Sequence, residues 1–207
     1  MEKQILELKS RIFSIYKSTQ EPLNNNIYRG HLRSISTDIE DSIAVFISNL
    51  LLETYCLILD PSIYVDGENN RPDLLIVNDK QEVIAMIEIK ANMGWCRDAQ
   101  WVLKDMVENN NKFISAKTLL CEISNGENKE ISYGSNVPMF LISLTDGNCS
   151  ESKHEANKNT ADELGIKYYL LFSGWYGGLK DRDIEFFAND ILSLRRAKLE
   201  EELRKVK

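Results

Sequence analysis

The stretch RPDLLIVNDKQEVIAMIEIKAN, residues 71–92, holds two apolar runs separated by the polar tetrad Asn78-Asp79-Lys80-Gln81. PDLLIVND (72–79) and EVIAMIEIKA (82–91) are rich in Ile, Leu and Val and bounded by turn residues, which predicts two strands. The tetrad between them predicts a tight hairpin turn, although it contains no glycine. Side chains alternate across a strand, so Glu88 and Lys90 face one side while Ile87 and Ile89 face the other. Two charges on one face of so apolar a strand are costly unless they find partners. If the hairpin pairs in register, Asp73 lies beside Glu88, and two carboxylates converge around one ammonium. A hard divalent cation is a natural resolution, because Mg²⁺ takes oxygen ligands from one or two carboxylates plus substrate phosphate.

Upstream, Ile5, Leu8, Ile12 and Ile15 recur every three or four residues and predict an amphipathic helix over 2–18. Thr19–Asn26, with Pro22 and three asparagines, reads as a loop. A second helix is predicted from Ser36 or Thr37 to about Tyr55, with Thr37-x-x-Glu40 as a capping box and one broad apolar face. CLILD (56–60) reads as a strand. Downstream, 98–117 reads as a helix burying Trp101, Met106 or Val107, Phe113 and Ala116. NVPMFLISLTD (136–146) reads as a central strand covered on both faces. Residues 147–160 read as an exposed polar loop, 160–164 as a short helix capped by Gly165, and KYYLLFSGW (167–175) as a last strand. A charged helix with Leu192, Leu194, Leu199 and Leu203 on its apolar side is predicted from Asp190 onward. An antiparallel hairpin feeding a helical crossover and further strands implies an α/β layered fold with a mixed sheet.

The length of 207 residues suits one domain with a substantial core, and a hydrophobic fraction of 43% with 28% charged residues suits a globular chain. No apolar run reaches the roughly 18 residues of a membrane helix, and MEKQILELKSRIF mixes acids and bases unlike a signal peptide, so the expected compartment is the cytoplasm. Cys56, Cys96, Cys121 and Cys149 form no CxxC pair, which argues against a zinc site and for reduced thiols. Only His31 and His154 are present, which excludes chemistry built on several histidines. The net charge is -7, against a surface coated in bases. It is uneven: residues 1–36 carry six bases and three acids, 195–207 six and three, and the middle 13 and 26. An acidic centre suits a cation site and suits plain solubility equally well.

Pro72-Asp73 followed by Glu88-Ile89-Lys90 resembles the PD-(D/E)xK signature of the restriction-endonuclease-like nucleases. The element order over 36–175 resembles that family's αβββαβ core, here with 1–35 as an N-terminal helix and loop and 176–207 as a C-terminal loop and helix, all in one domain. The resemblance implies that Asp73 and Glu88 hold Mg²⁺, with Mn²⁺ as a possible substitute, and that the Ile89 carbonyl is a further ligand. It implies that Lys90 is the catalytic lysine and that Glu40, on the first core helix, assists. The Q-x-x-x-Y feature of the exonuclease-like branch is not matched, since Gln100 is followed at that spacing by Lys104. The implied activity is Mg²⁺-dependent hydrolysis of phosphodiester bonds in DNA, by a type II restriction endonuclease or a related defence or repair nuclease. A two-fold protein matches a palindromic site, so a homodimer fits, as does a larger nuclease complex.

Each residue has a plainer reading. E-x-K on a strand usually marks a solvated face with a cross-strand ion pair. Glu40 could be the N3 acid of a cap on Thr37; against that, it shares a helix face with Ile43, Ala44 and Ile47. His31, Arg29 and Arg33 could be surface groups or, for the arginines, phosphate contacts. Trp95 suits the core better than a base-stacking role. SGWYGGLKDR (173–182) lacks the P-loop pattern and is a turn or a substrate loop. The acids interleaved among Arg195, Arg196, Lys198, Arg204 and Lys205 favour packing over phosphate binding. The main alternative function is a non-catalytic interaction subunit that retains the nuclease fold.

Overall fold

The predicted hairpin is the spine of the molecule. The computed structural model describes residues 1–20, 35–51, 55–93, 99–123, 127–147, 149–174 and 178–205. Strand β4 (Leu74–Val77) runs antiparallel to β5 (Glu82–Asn92), with Leu74 opposite Ile87 and Ile76 opposite Ala85. The turn solves its lack of glycine locally. Asn78 Oδ1 accepts the backbone N–H groups of Lys80 and Glu82, each at 2.9 Å, and Gln81 takes the left-handed conformation with φ 61°.

Ahead of it lie helices α1 (Glu2–Gln20) and α2 (Ser36–Leu51) and strands β1 (Cys56–Leu59), β2 (Ser62–Val65) and β3 (Glu68–Asn70). After it come α3 (Ala99–Ala116), β6 (Thr118–Ile123), β7 (Glu127–Tyr133), β8 (Met139–Thr145), α4 (Glu151–Glu163), β9 (Ile166–Ser173), β10 (Lys180–Asp181) and α5 (Ile184–Lys205). Among the described residues the mixed sheet has ten strands in the order β10-β9-β8-β5-β7-β6-β2-β3, with β4 pairing β5 and β1 pairing β4. Strands β5, β8 and β9 are mutually parallel. Every residue of β8 is buried, as its unbroken apolar run predicts.

Two apolar layers sandwich this sheet. One joins Ile5, Leu8 and Ile12 of α1, Ile43 and Ile47 of α2 and Phe187 and Ile191 of α5 to Ile87, Ile89, Phe140 and Ile142. The other joins Leu103, Met106 and Phe113 of α3 and Ala161 of α4 to Leu75, Met86, Leu141 and Tyr168. Cys56, Cys121 and Cys149 are free thiols, as expected. Among the described residues no helix is long and apolar enough to cross a membrane.

The structure corrects the sequence reading at several places. Residues 151–160 are not a loop: α4 occupies them, because parallel β8 and β9 need a crossover, usually helical. Its buried positions include His154 and Asn157, so it carries little apolar signal. The hairpin β2–β3 turns on Asp66 (φ 53°) and Gly67 (φ 83°), a strong hairpin dipeptide in plain view. The hairpin β6–β7 buries only alternate residues such as Leu119, Cys121, Ile131 and Tyr133, and so lacks a continuous run. Helix α5 starts at Ile184 rather than Asp190, on the stripe Ile184, Phe187, Ala188 and Ile191. Within α3, Trp101 is 68% exposed and Ala116 is exposed, while Met106 and Phe113 are buried. The readings of 21–34 with Arg29, His31 and Arg33, of Trp95 and Cys96, and of 175–177 fall outside the described residues, as do the side chains of Lys198, Leu199, Leu203, Arg204 and Lys205.

Helix α4 carries a buried titratable group. His154, 2% exposed, is hydrogen-bonded through Nδ1 to the Tyr168 hydroxyl at 2.6 Å, and its Nε2 has no partner among the described residues. Burial, then the Arg182 charge, holds its pKa below the ordinary 6.5, against the pull of Glu151, Asp146 and Asp183. The folded ring is therefore the neutral one, and the unfolded chain binds the proton first as pH falls. Its contribution to stability is complete above about pH 6.5 and is lost as pH falls through the depressed folded value. Denaturant unfolding from about pH 8 to about pH 5 should show the wild type losing stability relative to His154→Gln. Parallel profiles for the two proteins would contradict this.

Candidate active site

The site arises where β5 outruns β4. Pairing with β4 begins at Leu74 opposite Ile87, so residues 88–92 keep β8 on one side and lack a β4 partner on the other. Backbone groups on that open side need another acceptor. Asp73, one residue before β4, supplies it: its Oδ2 accepts the Ile89 N–H at 2.6 Å. The Glu88 carboxylate is held instead by the Lys90 ammonium. The Ile89 bond thus fixes Asp73 against the β5 backbone. A residue's N–H and C=O leave an extended strand on the same side, so the Ile89 carbonyl also faces the open edge.

Lys90 lies between the acids. Its Nζ is 2.5 Å from Glu88 Oε1 and 3.3 Å from Asp73 Oδ2. The three side chains are only 19–25% exposed. Burial pushes the Glu88 carboxyl up to about 7, and the neighbouring Asp73 charge adds to this, with Lys90 offsetting part of it. Burial opposes the Lys90 ammonium, but Glu88 and Asp73 outweigh it and raise its pKa above the ordinary lysine value.

Glu40 joins this group from α2. Burial first, then the Asp73 and Asp60 charges, raise its carboxyl to about 7 against the pull of Lys90. Its structural alternative loses its basis, because the first backbone bond of α2 runs from Ile39 N–H to the Ile35 carbonyl at 3.0 Å. Thr37 is the second residue of the helix, so Glu40 does not close a cap on it. Asp60 is the neighbour that the sequence reading missed. It follows β1, thirteen residues before Asp73, and no local pattern signals the approach.

Among the described residues no three His, Cys, Asp or Glu side chains converge as a ready-made metal cage. What converges is a pair of hard carboxylates around one ammonium, with more acid close by than that ammonium neutralises. Two carboxylates fit Mg²⁺, which retains waters and completes its shell with substrate phosphate. Burial, and after it the Asp73 charge, raises the Glu40 and Glu88 carboxyls to about 7, and a cation bound beside them would offset that cost. An open cavity of about 990 Å³ lies elsewhere, at the other end of β5, lined by residues including Glu82, Lys117, Tyr133 and Leu194.

No protein-family model matches the chain, and no curated protein matches it in sequence. Two solved structures do match in shape. One is NucC of P. aeruginosa ATCC27853 in its cAAA-bound form, with TM-score 0.50 and 12% identity over 93% of this chain and 88% of that one. The other is NucC of E. coli MS115-1, also cAAA-bound, with TM-score 0.50 and 12% identity over 94% and 88%. The chain has a restriction-endonuclease-like fold. At 12% identity the likeness concerns the fold, and the chemistry must be argued from the site.

Proposed function

We propose that the chain is a metal-dependent nuclease that hydrolyses phosphodiester bonds in DNA. In this reading Asp73 and Glu88 hold Mg²⁺ or Mn²⁺, the Ile89 carbonyl is a further ligand, and Lys90 and Glu40 serve the reaction. The observation that carries it is the pair of carboxylates around the Lys90 ammonium, with Asp73 pinned to the β5 backbone by the Ile89 N–H. The solved neighbours support it at the level of fold. The chemistry supplied by a metal ion bound there is polarisation of the phosphoryl oxygen and a water of lowered pKa. Lys90 keeps a full positive charge beside the reacting phosphate and stabilises the charge that builds there. Glu40 would serve as the carboxylate that accepts a proton from the attacking water.

Within this reading the chain is a type II restriction endonuclease or a related defence or repair nuclease, acting as a homodimer or in a larger complex. Incubation of supercoiled plasmid with the protein and Mg²⁺ should convert it to cleaved forms, and chelation should stop the reaction. Discrete fragments support the restriction enzyme, and a smear supports an unspecific nuclease. Absence of cleavage with either Mg²⁺ or Mn²⁺, on DNA of varied sequence and form, would count against catalysis and favour an interaction subunit. In the same assay Glu40→Gln should lower the rate by about 10²–10⁴-fold, the usual contribution of a general base. An unchanged rate would return Glu40 to a structural role.

A further inference from the structure

Resting on the nuclease reading above, the geometry points to Arg71 as the residue that receives the substrate's phosphate backbone beside the reacting phosphate, with Asp60 as the group that holds its place until then. Arg71 Nη2 lies 2.9 Å from Asp60 Oδ2. Both side chains are more than half exposed, at 55% and 59%, so the pair stands at the mouth of the site rather than in its interior.

The backbone around the pair is fixed. Asp60 is held at φ 43°, and its N–H donates to the Asp73 carbonyl at 2.9 Å. Arg71 is two residues before Asp73. The guanidinium is thus tied through two short backbone paths to the carboxylate proposed to hold the metal.

Charge makes the case. Glu40, Asp60, Asp73 and Glu88 bring four carboxylates to this region, with Lys90 already engaged by two of them. A polyanionic backbone entering it is repelled unless a cation at the rim receives it. An exposed Arg–Asp pair contributes little to stability, so exchanging Asp60 for a phosphate costs little. A phosphate offers the guanidinium paired acceptors and a stronger, bidentate contact.

The two partners therefore have unequal effects on binding, which no purely structural brace would produce. Binding of a short fluorescent DNA duplex is followed by anisotropy in Ca²⁺ buffer over a series of NaCl concentrations. Arg71→Gln should weaken binding about tenfold at low salt and reduce the slope of log affinity against log salt by about 0.9, the loss of one phosphate contact. Asp60→Asn should leave the affinity unchanged or tighten it a few-fold. Arg71→Lys should restore the slope, because a lysine keeps the charge.

Binding by the wild type with an unchanged slope in Arg71→Gln would overturn the assignment while leaving the nuclease reading intact. Equal weakening by Arg71→Gln and Asp60→Asn would likewise overturn it and make the pair a brace. A wild type that does not bind DNA at all would overturn the DNA reading itself, and this assignment with it.

Discussion

Replacing Lys90 with methionine should lower DNA cleavage by about 10²–10³-fold while leaving divalent-cation affinity undiminished or increased. The two effects separate because Lys90 has two relationships to the same carboxylates. In the structure its ammonium lies 2.5 Å from Glu88 and 3.3 Å from Asp73, where it competes with a metal ion for their charge. In the reaction it is a fixed positive charge where negative charge develops. Methionine keeps much of the length and removes both. Asp73→Asn should instead lose cleavage and metal binding together, because that carboxylate is a proposed ligand and the acceptor of the Ile89 N–H. Single-turnover cleavage alongside metal titration of both variants checks this. A Lys90→Met enzyme as active as the wild type would remove the lysine from catalysis.

The largest loss of stability is expected at Phe187→Ala. Phe187 is fully buried in α5 and meets three rings, with centroids 5.4 Å away at Tyr169, 6.3 Å at Phe140 and 6.4 Å at Phe46. These rings come from three different elements, so Phe187 ties α5 and α2 to the parallel strands. Emptying such a position costs about 3–5 kcal/mol. Typical domain stability is about 5–15 kcal/mol, so a large fraction would go. Denaturant unfolding should show the midpoint falling with little change in slope. A loss below about 1 kcal/mol would mean that the cavity refills and that the ring cluster does not organise this layer.

The hairpin at 71–92 was legible because its information is local. Two apolar runs, a polar turn and the alternation of Glu88 and Lys90 need no knowledge of the rest of the chain. The register followed, and with it the approach of Asp73 to Glu88. Strand β8 was legible for the same reason, since its apolar run serves both faces. What escaped was set by distant partners. The polar helix α4 exists because two parallel strands must be joined, a constraint written in β8 and β9 rather than in residues 151–163. Strands β6 and β7 bury alternate residues only once paired. Trp101 reads in the sequence as a buried position of the helix, whereas Val102, Leu103 and Met106 set the buried face of α3 and turn it outward. Asp60 reaches the site across a chain reversal, so its closeness to Glu40 and Arg71 had no sequence signature. The Asp66-Gly67 turn, by contrast, was readable and was missed.

Calorimetric titration of Mn²⁺ into the wild-type protein, and into Asp73→Asn under the same conditions, tests the metal centre most directly. The proposed site predicts saturable binding to the wild type and its loss in the variant. Absence of binding to the wild type, or equal binding to both, would contradict the assignment of Asp73 and Glu88 as a metal centre and return Glu88 and Lys90 to an ordinary ion pair.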